Sequence, residues 1–253
     1  MPDASIDRMR HLYRRSVAAM DDWLGRILGT LDERGLLDET LVVVTSDHGE
    51  NLGEGHMLGH AMSVDERLIH VPFVAAGPGS DAWKRRRSSE GAVSSLADVP
   101  RILAEAAGIT DHPWQRPAVP AGVAVAQCDG FAALAPDTAR KLVEAWRLWP
   151  RAHEELFLRR SCATDGRFKL VRERDAARLH DLETDPLETI DVLAVHPEES
   201  ARLASVLDAL DAEEEASKAR VPERASSSGG DGGPAGAAES AELEERLKLL
   251  GYL

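Results

Sequence analysis

The sequence contains only two cysteines, Cys128 and Cys162, far apart and outside any Cys-x-x-Cys spacing, which excludes a disulfide scaffold and a zinc finger. Both read as packing residues. No apolar run reaches the ~18 residues needed to span a bilayer. The opening MPDASIDRMRHLYRR has no apolar core of the kind a signal peptide needs, so the chain as given is expected to be cytoplasmic. A secreted or periplasmic location would require a signal upstream of Met1. Positive charge is also short: 30 Lys and Arg against 44 Asp and Glu leave a net charge of -14. A nucleic-acid partner would need a basic stripe to displace counterions from phosphates, so that class is excluded. An anionic substrate would have to be drawn in by local charge. No internal repeat is present.

What the chain does have is 253 residues of which 43% are hydrophobic, enough to bury a sizeable core of an α/β or α+β protein. Met9, Tyr13, Val17, Met20, Leu24, Ile27 and Leu31 recur in steps of three and four and predict a helix that stops near Gly35. Leu41 to Thr45 is apolar at consecutive positions, which predicts a strand covered on both faces of a parallel sheet. A short helix is expected around Ser63 to Leu68, then a strand over Val71 to Ala76 ending in Gly77-Pro78-Gly79. Lys84 to Arg87 fall in an exposed basic loop, or alternatively in a rim that attracts anions. Leu96 to Ala107 predicts a helix with Pro100 in its first turn, Val119 to Gln127 a strand, and Asp137 to Trp149 another helix.

Beyond Pro150 the pattern changes. Leu156 to Arg160 and Phe168 to Val171 flank Asp165-Gly166 and predict a β-hairpin. A third strand around Leu179 to Leu182 and a covering helix over Pro197 to Leu210 would complete a small antiparallel α+β subdomain, residues 151–215. Residues 216–240, rich in Ser and Gly, are expected to be disordered, and 241–253 to form a terminal amphipathic helix.

The chemistry concentrates after the first strand, in Thr45 to His60. Ligands of open α/β sheets bind beyond the carboxyl ends of strands, where these residues emerge. Asp47 and His48 offer an anionic oxygen and an imidazole side by side, a suitable pair of donors for a divalent cation. Gly49 would let the backbone turn away. His56 or His60, on the glycine-punctuated loop, could donate a proton to a departing oxygen. Glu50 and Glu54 read as solvated, with Glu50 alternatively orienting His48. Spacing alone leaves a hydrogen-bonded turn as an equal alternative for Asp47-His48.

The run Leu-Val-Val-Val-Thr-Ser-Asp-His-Gly-Glu, the following Gly59-His60 and Asp65 to Phe73 resemble the metal-binding segment of sulfatases and phosphonate monoester hydrolases of the alkaline phosphatase superfamily. Val93 to Gly108 is similar to the family's following helix. Thr164 to Leu170 and Leu179 to Thr189 resemble its C-terminal hairpin and Asp-Leu-x-x-Asp-Pro-x-Glu segment, and the ending Leu249 to Leu253 is similar to family termini. The resemblance implies that residues 1–150 are the C-terminal part of the catalytic α/β domain, carrying part of an alkaline-phosphatase-like sheet flanked by helices. It implies metal ligation by Asp47 and His48, the ion being Ca, Mg, Mn or Zn. Many sulfatases have Asp-Asn there and the phosphonate hydrolases Asp-His. His60 falls where the family often places a lysine that contacts the transferred group, which implies a catalytic role; His56 has no counterpart.

The family's nucleophile is a formylglycine made from the cysteine of a Cys-x-Pro-x-Arg motif, and neither Cys128 nor Cys162 lies in one. The expectation is therefore a metal-dependent sulfatase-like hydrolase of small sulfate esters, represented by a fragment without its nucleophile and inactive alone. Its missing N-terminal half is the natural partner. Metal-dependent phosphodiester or phosphonate hydrolysis on the same fold is one alternative, a non-catalytic interaction module another.

Overall fold

In the computed structural model the described residues are 3–54, 57–60, 63–81, 93–109, 111, 119–130 and 157–220. Helix α1 (Asp3–Glu33) contains the predicted apolar steps and ends as its sequence requires. Gly35 takes φ +66°, and its N–H donates to Asp32 O at 2.8 Å while Leu36 N–H donates to Leu31 O at 2.9 Å. This pair of bonds is a Schellman closure, which needs the left-handed conformation that glycine adopts without a Cβ penalty. The apolar face does not bury. Leu12, Tyr13, Val17, Met20, Trp23 and Ile27 are all exposed.

Strand β1 (Val42–Thr45) pairs antiparallel with β4 (Phe73–Ala76), Val42 opposite Ala76 and Thr45 opposite Phe73. Among the described residues the one strand partner of β1 is antiparallel, and Val42 to Val44 are half-buried. An apolar run reports coverage of its faces and carries no information on a neighbour's direction. Between them the chain forms a two-residue ribbon, β2 (Asn51–Leu52) with β3 (Leu58–Gly59), and one helical turn, α2 (Glu66–Ile69). Helix α3 (Val99–Ala106) follows a 3-10 turn over Leu96–Asp98 whose start is capped by Ser95 Oγ accepting from Ala97 N–H. Pro100 lies in its first turn, where a missing N–H costs nothing.

The larger sheet is antiparallel throughout, in the order β5 (Ala124–Cys128), β6 (Arg160–Thr164), β7 (Phe168–Glu173), β8 (Ala176–Asp181). Asp165 makes the β6–β7 turn, its Oδ1 accepting from the N–H groups of Arg167 and Phe168 at 2.9 and 2.8 Å. Alternation assigns the faces. Ala163, Leu170 and Leu179 pack with Leu203, Val206 and Leu207 of α4 (Pro197–Arg220), while Cys162 and Val171 pack on Val64. Each fully buried leucine contributes roughly 1.5–3 kcal/mol. The helix expected over Pro197 to Leu210 runs on to Arg220, into the segment 216–240 expected to be disordered, because Ala212 to Arg220 contain no glycine or proline to stop it.

Contacts divide the chain into Met1–Asp211 and Ala212–Leu253, and the site described below lies in the first. His56, Lys84 to Arg87, the expected helix over 137–149, the rest of 216–240 and the expected helix over 241–253 lie outside the described residues. Among the described residues no helix is long and apolar enough to cross a membrane.

Candidate metal site

The residues after β1 form a tight turn held by its own polar groups. Ser46 Oγ donates to His48 O at 2.7 Å, and Asp47 Oδ1 accepts the His48 N–H at 2.9 Å. Gly49 then donates its N–H to Leu68 O at 2.8 Å, and a Cβ built on Gly49 would lie 1.9 Å from Arg67 O. Only glycine permits this approach, so the expected sharp turn at Gly49 is a close contact with α2.

His48 Nδ1 lies 2.9 Å from Gly49 O. A carbonyl oxygen only accepts, so the proton of the neutral ring belongs on Nδ1 and the lone pair on Nε2. That Nε2 is 3.7 Å from Asp47 Oδ2. An anionic oxygen and an imidazole lone pair thus adjoin one another, with the imidazole's other nitrogen held by a carbonyl as metal-bound histidines commonly are. The Asp47 side chain is 78% exposed, and its carboxyl titrates below the usual carboxylate range, chiefly because the His48 N–H bonds to it and secondarily because of the adjacent ring.

The His60 ring stacks on that of His48, centroids 4.2 Å apart and planes 24° from parallel, and its Nδ1 is 3.2 Å from Glu50 Oε2. Glu50 therefore faces His60, which corrects the alternative that it orients His48. Glu54 is likewise engaged: Oε2 accepts from Leu52 N–H at 2.7 Å and Oε1 pairs with Arg10 at 3.1 Å, correcting its reading as solvated. Arg10 also donates from Nε to Leu52 O at 2.9 Å, so α1 holds the loop from one side. From the other, Arg67 Nε donates to Oδ1 of the fully buried Asn51 at 3.1 Å. Arg10, Asn51 and Arg67 were not singled out in the sequence, and no short-range pattern marks them, since Arg10 acts 42 residues away from its partner carbonyl.

The donor chemistry of Asp47 and His48 is of a kind that suits a divalent cation. Among the described residues no group of three or more His, Cys, Asp or Glu could hold an ion. His60 is joined to the pair through its ring face, which supplies no ligand lone pair.

Residues 2–109 match the family model described as Sulfatase. Among curated relatives, a multifunctional alkaline phosphatase superfamily protein of Trinickia caryophylli is 36% identical over 106 residues, 41% of this chain and 20% of that protein. Arylsulfatase K of Bos taurus is 37% identical over 107 residues, 42% of this chain and 19% of the relative. Choline-sulfatase of Rhizobium meliloti is 29% identical over 190 residues, 74% of this chain and 33% of the relative. The phosphonate monoester hydrolase of Agrobacterium radiobacter shares the fold with a TM-score of 0.53 at 24% identity, over 82% of this chain and 42% of that structure. The chain thus spans about a fifth to a third of the curated relatives it matches.

Proposed function

We propose that this chain, whose residues 2–109 carry the sulfatase segment of the alkaline phosphatase superfamily, forms part of a metal-dependent hydrolase of sulfate esters. The observation that carries this is the adjacency of Asp47 Oδ2 and His48 Nε2, 3.7 Å apart at the end of β1, with the imidazole tautomer fixed by Gly49 O. Asp47 and His48 would hold the cation. When bound it would supply charge opposite the ester's oxyanion and polarise it. Binding a cation through Nε2 requires His48 in its neutral form, with the ring N–H at Nδ1 donating to Gly49 O. His60 stands beside it as the group that donates a hydrogen bond or a proton to the departing oxygen, its Nδ1 paired with Glu50.

A nucleophile is required to form the covalent intermediate that divides such a reaction in two. Neither Cys128 nor Cys162 fits the formylglycine motif, and Cys162 is buried, its thiol pushed up to about 11 by desolvation. The nucleophile and the remaining metal ligands are proposed to come with the rest of the fold, which this chain covers to 42% in the Agrobacterium hydrolase.

The test is a titration of the chain with manganese(II), followed by calorimetry, in the wild type and in Asp47→Ala. Specific binding lost in the variant supports the reading, and equal signals in both would sink it in favour of an interaction module. The chain alone is expected to turn over no aryl sulfate above a His48→Ala control. His48, standing where many sulfatases have asparagine, favours phosphonate or phosphodiester hydrolysis as the second reading. Assay of a completed domain on an aryl sulfate and an aryl phosphonate separates the two.

A further inference from the structure

Lys169, in the middle of β7, is completely buried, an unusual place for an ammonium group. Its Nζ lies 2.6 Å from Glu188 Oε1, 3.1 Å from Glu66 Oε1, and donates to Val64 O at 2.6 Å. The other oxygen of Glu188, Oε2, accepts the N–H of Glu66 at 2.8 Å, across 122 residues. Asp65, the residue that would cap α2 locally, makes no side-chain cap bond. Glu188 therefore caps α2 in its place, and it does so from a backbone conformation with φ +57°, one that L residues seldom adopt.

The opposite side of α2 carries the site loop. Leu68 O accepts from Gly49 N–H, Arg67 O sits where a Gly49 side chain would be, and Arg67 Nε holds Asn51. Gly49 adjoins His48 on one side and Glu50 on the other, and Glu50 pairs with His60. One helical turn of four residues thus has the buried Lys169–Glu188 pair at one end and the loop bearing Asp47, His48 and His60 at the other.

We infer that Glu188 and Lys169 are positioning residues for the Asp47–His48 site, acting through α2; the inference rests on the metal reading given above. A four-residue helix has too few internal hydrogen bonds to fix its own orientation, so external partners decide where Arg67 and Leu68 present their carbonyls. Removing the Glu188 carboxylate frees the Glu66 N–H and leaves Lys169 with one carboxylate. The loop should then lose its register relative to β1.

The test compares Glu188→Ala with Arg172→Gln, a control in β7, the strand of Lys169, whose ion-pair partners are Asp208 and Asp211 of α4. Two quantities are read on folded protein: the ring chemical shifts of His48 and His60 in histidine-labelled chain, and manganese(II) affinity. Glu188→Ala is expected to move both ring signals and weaken manganese binding by about tenfold or more, the scale seen when groups behind metal ligands are removed. Arg172→Gln should leave both unchanged at a comparable loss of melting temperature. Unaltered His48 and His60 signals and affinity in Glu188→Ala would overturn the inference, as would equal changes in the control. If Glu188→Ala fails to fold, Glu188→Ser, whose short side chain withdraws the acceptor from both Glu66 N–H and Lys169, is read in the same way. If the wild type binds no manganese, the metal reading fails, and the ring shifts alone decide the positioning role.

Discussion

The backbone of Gly49 runs so close to Arg67 that a Cβ on Gly49 would lie 1.9 Å from the Arg67 carbonyl oxygen. The obstacle is main chain, so no rotamer change relieves it. Gly49→Ala should destabilise the protein by about 3 kcal/mol, at the upper end for overpacking. Gly25→Ala, on α1 with nothing within 4 Å of its built Cβ, should stabilise by up to about 1 kcal/mol through helix propensity. Denaturant unfolding of both variants checks the pair, and a neutral Gly49→Ala would contradict the close approach of α2.

Acid should destabilise the C-terminal sheet through particular carboxylates. The Arg167 guanidinium, bonded to Asp181 at 3.3 and 3.1 Å, holds that carboxyl below the ordinary 3.8. Asp185 is lowered chiefly by the Ile190 N–H and then by the Thr189 hydroxyl, at 2.7 and 2.9 Å. Folded values below unfolded ones mean stability that is complete above pH about 4 and is lost as pH falls through the depressed values. Melting temperatures recorded from pH 7 to pH 3 should stay flat and then drop, and Asp185→Asn should shallow the drop. Identical acid slopes in variant and wild type would remove Asp185 from the account.

The uncovered face of α1 predicts self-association. Met20 is 63% exposed and Trp23 53%, and Val17 and Ile27 extend the same surface. Exposed apolar stripes of this kind recruit partners or aggregate. Sedimentation velocity across a concentration series should show species larger than the monomer, and Met20→Lys with Trp23→Glu should shift the distribution back toward monomer. A wild-type chain monomeric at all concentrations would show that this face is tolerated by solvent.

Much of the local structure was legible in the residues because its causes are local. Gly35 ends α1 by adopting φ +66°, and Asp165 closes the β6–β7 turn with its own carboxylate. The start of β8 was not legible: it lies at Ala176, ahead of the expected Leu179, because Arg174 takes φ +53° in a two-residue turn that contains no glycine. For the candidate site, residue type and resemblance single out Asp47-His48 and His60. The stacking of His48 on His60 and the pairing of Glu50 with His60 rather than His48 depend on how β2 folds back on β3.

The sequence by itself determined where α1 stops, where the β6–β7 turn falls and which residues carry donor chemistry, since periodicity, turn residues and side-chain type act over a few positions. The first hairpin strand, expected over Leu156 to Arg160, lies at Arg160–Thr164. Only the tertiary structure decided that β1 takes an antiparallel neighbour, that β5 joins the C-terminal sheet, and that α2 is capped by Glu188 and braced by a buried Lys169. Those outcomes follow from contacts between residues up to 122 apart, whose partners are chosen by burial and charge pairing across the fold.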